Sequence, residues 1–141
     1  MRRNALFFDE IHKSFTIRGN KMETTTQLGD KGEEIAAEHL SALGYQILER
    51  KYRYRHAEID LIVQRRDLLV IVEVKTRSGS FYEAPVITIP KLKMLRLIRA
   101  ADHYIRSYSG NYEVRFDVIY IEFQGKHQYR IRHTEDAFYF F

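Results

Sequence analysis

Two apolar stretches in the middle of the chain carry its clearest pattern. Glu58-Ile59-Asp60-Leu61-Ile62-Val63 and Leu68-Leu69-Val70-Ile71-Val72-Glu73-Val74-Lys75-Thr76 are rich in Ile, Val and Leu, with Gln64-Arg65-Arg66-Asp67 between them. Short β-branched runs parted by a polar turn predict two β-strands. Upstream, Gln27 to Leu43 has helical spacing: Ile35, Ala36, Ala37, Leu40 and Leu43 form one stripe, and Gly44 supplies the stop. Tyr45 to Tyr54 reads as a strand. Downstream, Pro90 suits a helix start, and Lys91 to Tyr108 carries the stripe Leu92, Leu95, Ile98, Ala101 and Ile105, with Leu97 beside it. Val114 to Phe123 is a strand with an irregularity expected at Arg115, Gln124-Gly125-Lys126 a turn, and Gln128 to His133 a return strand. The aromatic tail Asp136 to Phe141 is expected to pack on the body or on a partner. Helix, three strands, helix, two strands predicts an α/β fold: a mixed sheet of about five strands flanked by two main helices. Residues 1–26 are weakly patterned and read as a loosely ordered extension, with 27–141 as a single domain. The alternative for the extension is a short helix or strand docking Phe7, Phe8 and Phe15. Met22 offers an alternative start for the chain.

Four ionisable residues interrupt the central apolar strands: Glu58, Asp60, Glu73 and Lys75. A charge in a buried strand is costly unless it is paired or binds a metal. Side chains alternate along a strand, so Glu58 shares a face with Asp60, and Glu73 with Lys75. Closing the hairpin at Arg66-Asp67 sets Asp60 opposite Glu73 and Glu58 opposite Lys75. The second pair attracts; the first sets two carboxylates side by side and calls for a cation between them. A loop one residue longer would shift the register and undo the match. Two acids and a lysine on one face suit a divalent metal and a phosphate.

Composition narrows the classes. The chain has 141 residues, 45% of them apolar, enough for one domain with a sizeable core. No apolar run reaches the roughly 18 residues of a membrane span. With no cysteine, disulfides, thiol catalysis and cysteine-ligated zinc are excluded. A net charge of +4 and a pI near 9.3 are compatible with a polyanionic partner. Ala5 to Phe8 is cut short by Asp9 and Glu10, too soon for a signal peptide, so a cytoplasmic protein is expected.

Other positions carry candidate chemistry. Glu33 heads the core-facing stripe of the first helix, three, four and seven residues before Ala36, Ala37 and Leu40. It either serves a site or complements the helix dipole. Arg50-Lys51-Tyr52-Arg53-Tyr54-Arg55-His56 alternates cations with tyrosines, as a strand tracking phosphates and stacking on bases would. A solvated edge strand that blocks aggregation has the same pattern. Arg77 begins a loop leaving the Lys75 end, and Lys91 and Lys93 open the second helix, where a basic face suits nucleic acid or plain solvent.

The ordered set has a family likeness. Asp60 followed on the next strand by Glu73-Val74-Lys75 resembles the signature of the restriction-endonuclease-like, or PD-(D/E)xK, nuclease superfamily. Gly32-Glu33 with Ala36 and Leu40, Gly44-Tyr45, Glu58-Ile59-Asp60-Leu61-Ile62, Val72 to Arg77, Lys91 and Arg115-Phe116-Asp117-Val118 together resemble the YraN-like family of bacterial proteins. That family is related in fold to archaeal Holliday-junction resolvases. The resemblance implies a restriction-endonuclease-like fold with Asp60, Glu73 and Glu33 holding Mg²⁺ or Mn²⁺, helped by the Val74 carbonyl. It implies that Lys75 positions water and that Glu58 is a support. Arg53, Arg55, His56, Arg77, Lys91 and Lys93 would contact DNA, and a two-fold homodimer would suit a symmetric junction. Two positions depart from the family. Ala57 stands where glycine is usual, so a positive-φ turn there would be strained, and Pro85 is followed by no acid.

Three functions compete on this basis. The first is a metal-dependent endonuclease acting on branched or structured DNA. The second is a nucleic-acid-binding module of the same fold with little turnover. The third is an interaction protein in which Glu58–Lys75 and an Asp60–arginine pair are buried salt bridges.

Overall fold

A computed structural model describes residues 11–14, 24–79, 89–125 and 128–138. Eight elements follow one another: β1 (Ile11–Ser14), α1 (Thr25–Ala42), β2 (Gln46–Tyr54), β3 (Ala57–Arg65), β4 (Leu68–Ser78), α2 (Lys91–Ser107), β5 (Glu113–Gln124) and β6 (Gln128–Phe138). The strands form one mixed sheet in the order β1-β6-β5-β4-β3-β2. The parallel pair β4–β5 lies at its centre, and every other pairing is antiparallel. The five expected strands and two helices are all present. A sixth strand, β1, is added along β6 by four residues of the segment expected to be loosely ordered. The segments 80–88 and 139–141, which hold Pro85 and the last aromatic residues of the tail, lie outside the described residues.

Local chemistry sets the helix ends. The Thr24 hydroxyl accepts from Gln27 N and Gln27 Oε1 accepts from Thr24 N, a capping box that starts α1 two residues before the expected Gln27. At the other end Gly44 takes φ +87, while Tyr45 N donates to Leu40 O and Gly44 N to Ser41 O. That is a Schellman stop, which only glycine adopts without a steric penalty. Among the described residues no helix is long and apolar enough to cross a membrane.

The sheet has a core on each face. On one, Ile35, Ala36 and Leu40 of α1 pack on Leu61, Val63, Val70, Val72, Ile119 and Ile121. On the other, Leu97, Ala101 and Tyr104 of α2 pack on Ile62, Leu69, Ile71, Phe116 and Val118. The buried stripe of α2 is therefore rotated from the expected one. Leu92 and Leu95 are 59% and 44% exposed, because Ala100, Ala101 and Tyr104 let the helix lie close to the sheet along a different line. The irregularity is also displaced, onto β6, where four residues from Thr134 to Phe138 span two of β5 and Asp136 takes φ +55. The β5–β6 register shifts between Phe116 and Val118 rather than at Arg115. The carboxylate of the buried Asp117 accounts for it, taking two guanidinium hydrogen bonds from Arg115, one from His133 and one from Asp136 N. Ala57 escapes the strain expected of it, since the positive φ of the β2–β3 turn falls on Arg55, at +54.

Candidate metal site at the strand fork

The β3–β4 hairpin closes over Arg66-Asp67, and its ladder runs from Arg65↔Leu68 to Leu61↔Val72. The expected register holds, so the next pair in line is Asp60 with Glu73. There the two strands part. β3 stays paired with β2 down to Ala57, and β4 stays paired with β5 out to Ser78. Val74 N, which a continued ladder would satisfy, instead donates to Asp60 Oδ2 at 2.7 Å. A carboxylate thus caps the open end of the hairpin and holds the fork.

Acids reach this fork from both sides of the sheet. Ile59 and Leu61, two residues apart, belong to opposite cores, so strict alternation breaks at Asp60. The neighbouring strand breaks at the same level, where Lys51 has φ +51 between the pairs Arg50↔Leu61 and Tyr52↔Ile59. Glu33 comes in from α1, and one carboxylate oxygen each of Glu33, Glu58 and Asp60 lie within 4.8 Å of one another, all three partly buried. Glu73 is 4% exposed and approaches from the α2 side. Its Oε1 accepts a hydrogen bond from Lys93 Nζ, while its buried Oε2 has no hydrogen-bond partner among the described residues.

The electrostatics follow from this crowding. Burial pushes the Asp60 carboxyl up to about 8, with Glu73 and Glu33 adding to the rise and the Val74 hydrogen bond and Lys93 opposing it. Burial also raises Glu33, against the pull of Lys51, whose Nζ lies 3.7 Å from Glu33 Oε2 and 2.8 Å from Asp30 Oδ1. Carboxylates pushed toward the neutral form by burial and by one another are what a divalent cation relieves. An orphaned buried oxygen beside three clustered hard donors fits Mg²⁺ or Mn²⁺, which take oxygen ligands and keep several waters.

Asp60, Glu33 and Glu58 are brought together, so Glu58, expected as a support, stands among the clustered acids. Glu58 does not face Lys75; its partner is Arg53 across the β2–β3 pair, at 2.8 Å, because β3 leaves β4 before reaching that position. Glu73 stands outside the triplet and is paired with Lys93, a residue expected to contact DNA. Lys75, half-buried on β4, makes no ion pair among the described residues. Arg53, Arg55, His56, Arg77 and Lys91 are all exposed.

The matched family is described as "Uncharacterised protein family UPF0102", and the match covers residues 32–121. A UPF0102 protein of Christiangramia forsetii is 40% identical over 120 residues, 85% of this chain and 100% of the relative. One of Flavobacterium johnsoniae is 40% identical over 124 residues, again 85% and 100%, and one of Rhodococcus opacus is 41% identical over 114, 79% and 95%. The chain belongs to the UPF0102 family. This is the YraN-like family whose likeness the central strands carry. The UPF0102 match runs from Gly32 to Ile121, so it takes in Glu33, Glu58, Asp60, Glu73, Lys75 and Lys93 together.

Sequence reasoning missed two groups of polar residues in this UPF0102 chain. Lys51 clamps Asp30 and Glu33 onto β2, and its only signal was a cation in a basic run. A buried chain runs from Asp117 through His133 Nε2 at 2.7 Å, and from His133 Nδ1 to His39 Nε2 at 3.2 Å. Tyr45 OH joins it through Arg115, at 2.9 Å. Burial alone would raise Asp117, but the hydrogen bonds from His133 and Arg115 outweigh it and hold the carboxyl below its ordinary value. His133 lies beyond the residues that match the family.

Proposed function

We propose that the protein is a metal-dependent endonuclease that hydrolyses phosphodiester bonds of DNA, in branched or otherwise structured substrates. The carrying observation is the convergence of Glu33, Glu58 and Asp60 within 4.8 Å at the fork where β3 leaves β4, with Glu73 and Lys75 on the facing strand. Asp60, Glu33 and Glu58 would hold Mg²⁺ or Mn²⁺, with Glu73 offering its unpartnered Oε2. When bound, the ion would polarise a phosphoryl oxygen and lower the pKa of a coordinated water. Lys75 is the ammonium left to orient the attacking water and to offset the charge that develops on phosphorus. Lys93 holds Glu73 in place, and Arg53 is paired with Glu58. The likeness to restriction-endonuclease-like nucleases supports the same assignment of Asp60, Glu73 and Lys75.

A DNA-binding module that does not cut is the second reading. On its side is the Lys93–Glu73 ion pair, which neutralises one acid of the site without a metal. Purified protein incubated with Mg²⁺ or Mn²⁺ and duplex, single-stranded, flap and four-way DNA decides between them. We expect cleavage that vanishes in Asp60→Ala and Lys75→Ala and in chelator. Binding that falls steeply with salt, without cutting, would favour the module. Cutting that survives in Asp60→Ala would point to a contaminating nuclease.

A further inference from the structure

A second concave feature lies beside the fork. It is a cleft of about 550 Å³ between the β2–β3 turn and the exposed side of α2. Apolar Ala57, Leu92 and Leu95 line it together with Arg55, Arg96 and Arg99. Among the described residues no carboxylate lines it. Arg96 and Arg99 make no ion pair among the described residues, whereas Arg53 and Arg106 nearby are each held by an acid. Three guanidiniums without a carboxylate call for an anion. Two leucines left 59% and 44% exposed on the same wall call for an apolar surface.

We infer that this cleft binds an unpaired nucleotide or short single strand of the DNA substrate, next to the scissile duplex. The inference rests on the reading of the fork as a DNA-cutting site and adds the substrate feature that would be recognised. Duplex DNA turns only phosphates and sugars outward at its rim, so exposed leucines gain nothing from it. An unpaired strand offers phosphates and bare base faces together. Guanidiniums pair with the first and stack on the second, and leucines take the rest. The volume lies in the range that accommodates a ligand of nucleotide size. Both walls run directly into the fork: Ala57 precedes Glu58 on β3, and Lys93, which holds Glu73, follows Leu92 on α2. A strand leaving a duplex at the acids would reach the cleft within one or two residues' distance on either wall. An anionic membrane would also satisfy a basic, apolar helix face. The adjoining cluster of acids disfavours that, because it would be pressed against a surface of like charge.

The test is fluorescence anisotropy of the full chain, in chelator so that nothing is cut. The probes are a blunt duplex, the same duplex with an oligothymidylate tail, and the free tail. Expected is a preference for the tailed over the blunt duplex of about tenfold or more. Arg96→Glu with Arg99→Glu, and separately Leu92→Ser with Leu95→Ser, should bring the tailed duplex down to the blunt value while leaving the melting temperature unchanged. Arg55→Gly is a third variant that relieves a positive φ and so cannot fail by misfolding; it should weaken tail binding and flatten its salt dependence by about 0.7 in log–log slope. Equal affinity for tailed and blunt duplex overturns the inference, as does a preference untouched by all three variants. Binding to phosphatidylglycerol vesicles that disappears in the leucine variant, with DNA binding unchanged, also overturns it. Metal-dependent cutting indifferent to tails and to these variants would sink the cleft and leave the nuclease reading standing. A tail preference without any metal-dependent cutting would do the reverse.

Discussion

Gly32 sits on α1 directly above Thr76 of β4, one residue before Glu33. A Cβ built there would lie 2.0 Å from Thr76 Oγ1 and 3.1 Å from both its Cβ and Cγ2. Gly→Ala inside a helix ordinarily stabilises by about 1 kcal/mol. Here the sign should reverse. A comfortable contact needs roughly 3.4 Å, so helix and strand must separate by more than about 1 Å or Thr76 must leave its rotamer, and a β-branched residue has few to choose from. Overpacking of this kind costs about 3 kcal/mol at its upper range. Less the propensity gain, Gly32→Ala should destabilise by about 2 kcal/mol and lower the melting temperature by roughly 5–10 °C. Gly29, with nothing within 4 Å of a built Cβ, is the internal control, and Gly29→Ala should gain about 0.5–1 kcal/mol. Thr76→Ala removes Oγ1 and Cγ2, so the double variant with Gly32→Ala should recover at least about 1 kcal/mol relative to additivity. Urea and thermal denaturation of the wild type and the four variants provide the measurement. Because the displaced turn carries Glu33, Gly32→Ala should also weaken Mn²⁺ binding, read by titration calorimetry. If Gly32→Ala melts alongside Gly29→Ala, the close approach of α1 to β4 that places Glu33 at the fork is refuted.

Three further outcomes are expected. Between about pH 4 and pH 8 folded Asp60 retains a proton that the unfolded chain has lost, so its burial makes the metal-free protein less stable as pH rises through that window. Asp60→Asn should therefore gain on the wild type toward high pH in chelator. The pKa difference sets a ceiling of about 6 kcal/mol, which partial exposure reduces to roughly 1–3. Saturating Mn²⁺ should stabilise only the wild type, and a pH-independent difference in urea denaturation would contradict the assignment. Asp117→Ala leaves Arg115 and His133 without their shared carboxylate in a buried setting and should cost about 3–5 kcal/mol. Because the Asp117 carboxyl is held low, its contribution is complete above about pH 4 and fades as pH falls below that, so acid-denaturation curves of wild type and variant should converge. Arg66→Gly relieves φ +55 in the β3–β4 turn, and denaturation should show a gain of about 0.5–1 kcal/mol.

The central hairpin was readable because short-range rules governed it. The polar pair Arg66-Asp67 set the loop, the loop set the register, and Asp60 came level with Glu73. The same rules failed one residue later. Alternation placed Glu58 opposite Lys75 on the assumption that the strands stay paired. Where β3 leaves β4 depends on Asp60 taking the Val74 amide and on each strand keeping its other neighbour, and no local pattern encodes that. The stripe on α2 misled for a related reason. Leu92 and Leu95 have helical spacing, yet the small residues Ala100 and Ala101 decide which line meets the sheet.

Element order, the helix stop at Gly44, the hairpin register and the set of acids were thus carried by spacing and residue type, which act within a few positions of the chain. The partners of those acids were not. Glu73 meets Lys93 and Glu33 meets Lys51 only after two helices have docked on opposite faces of a sheet that opens at Asp60. Those pairings join residues far apart in sequence or across a break in alternation. Packing, not periodicity, chooses them.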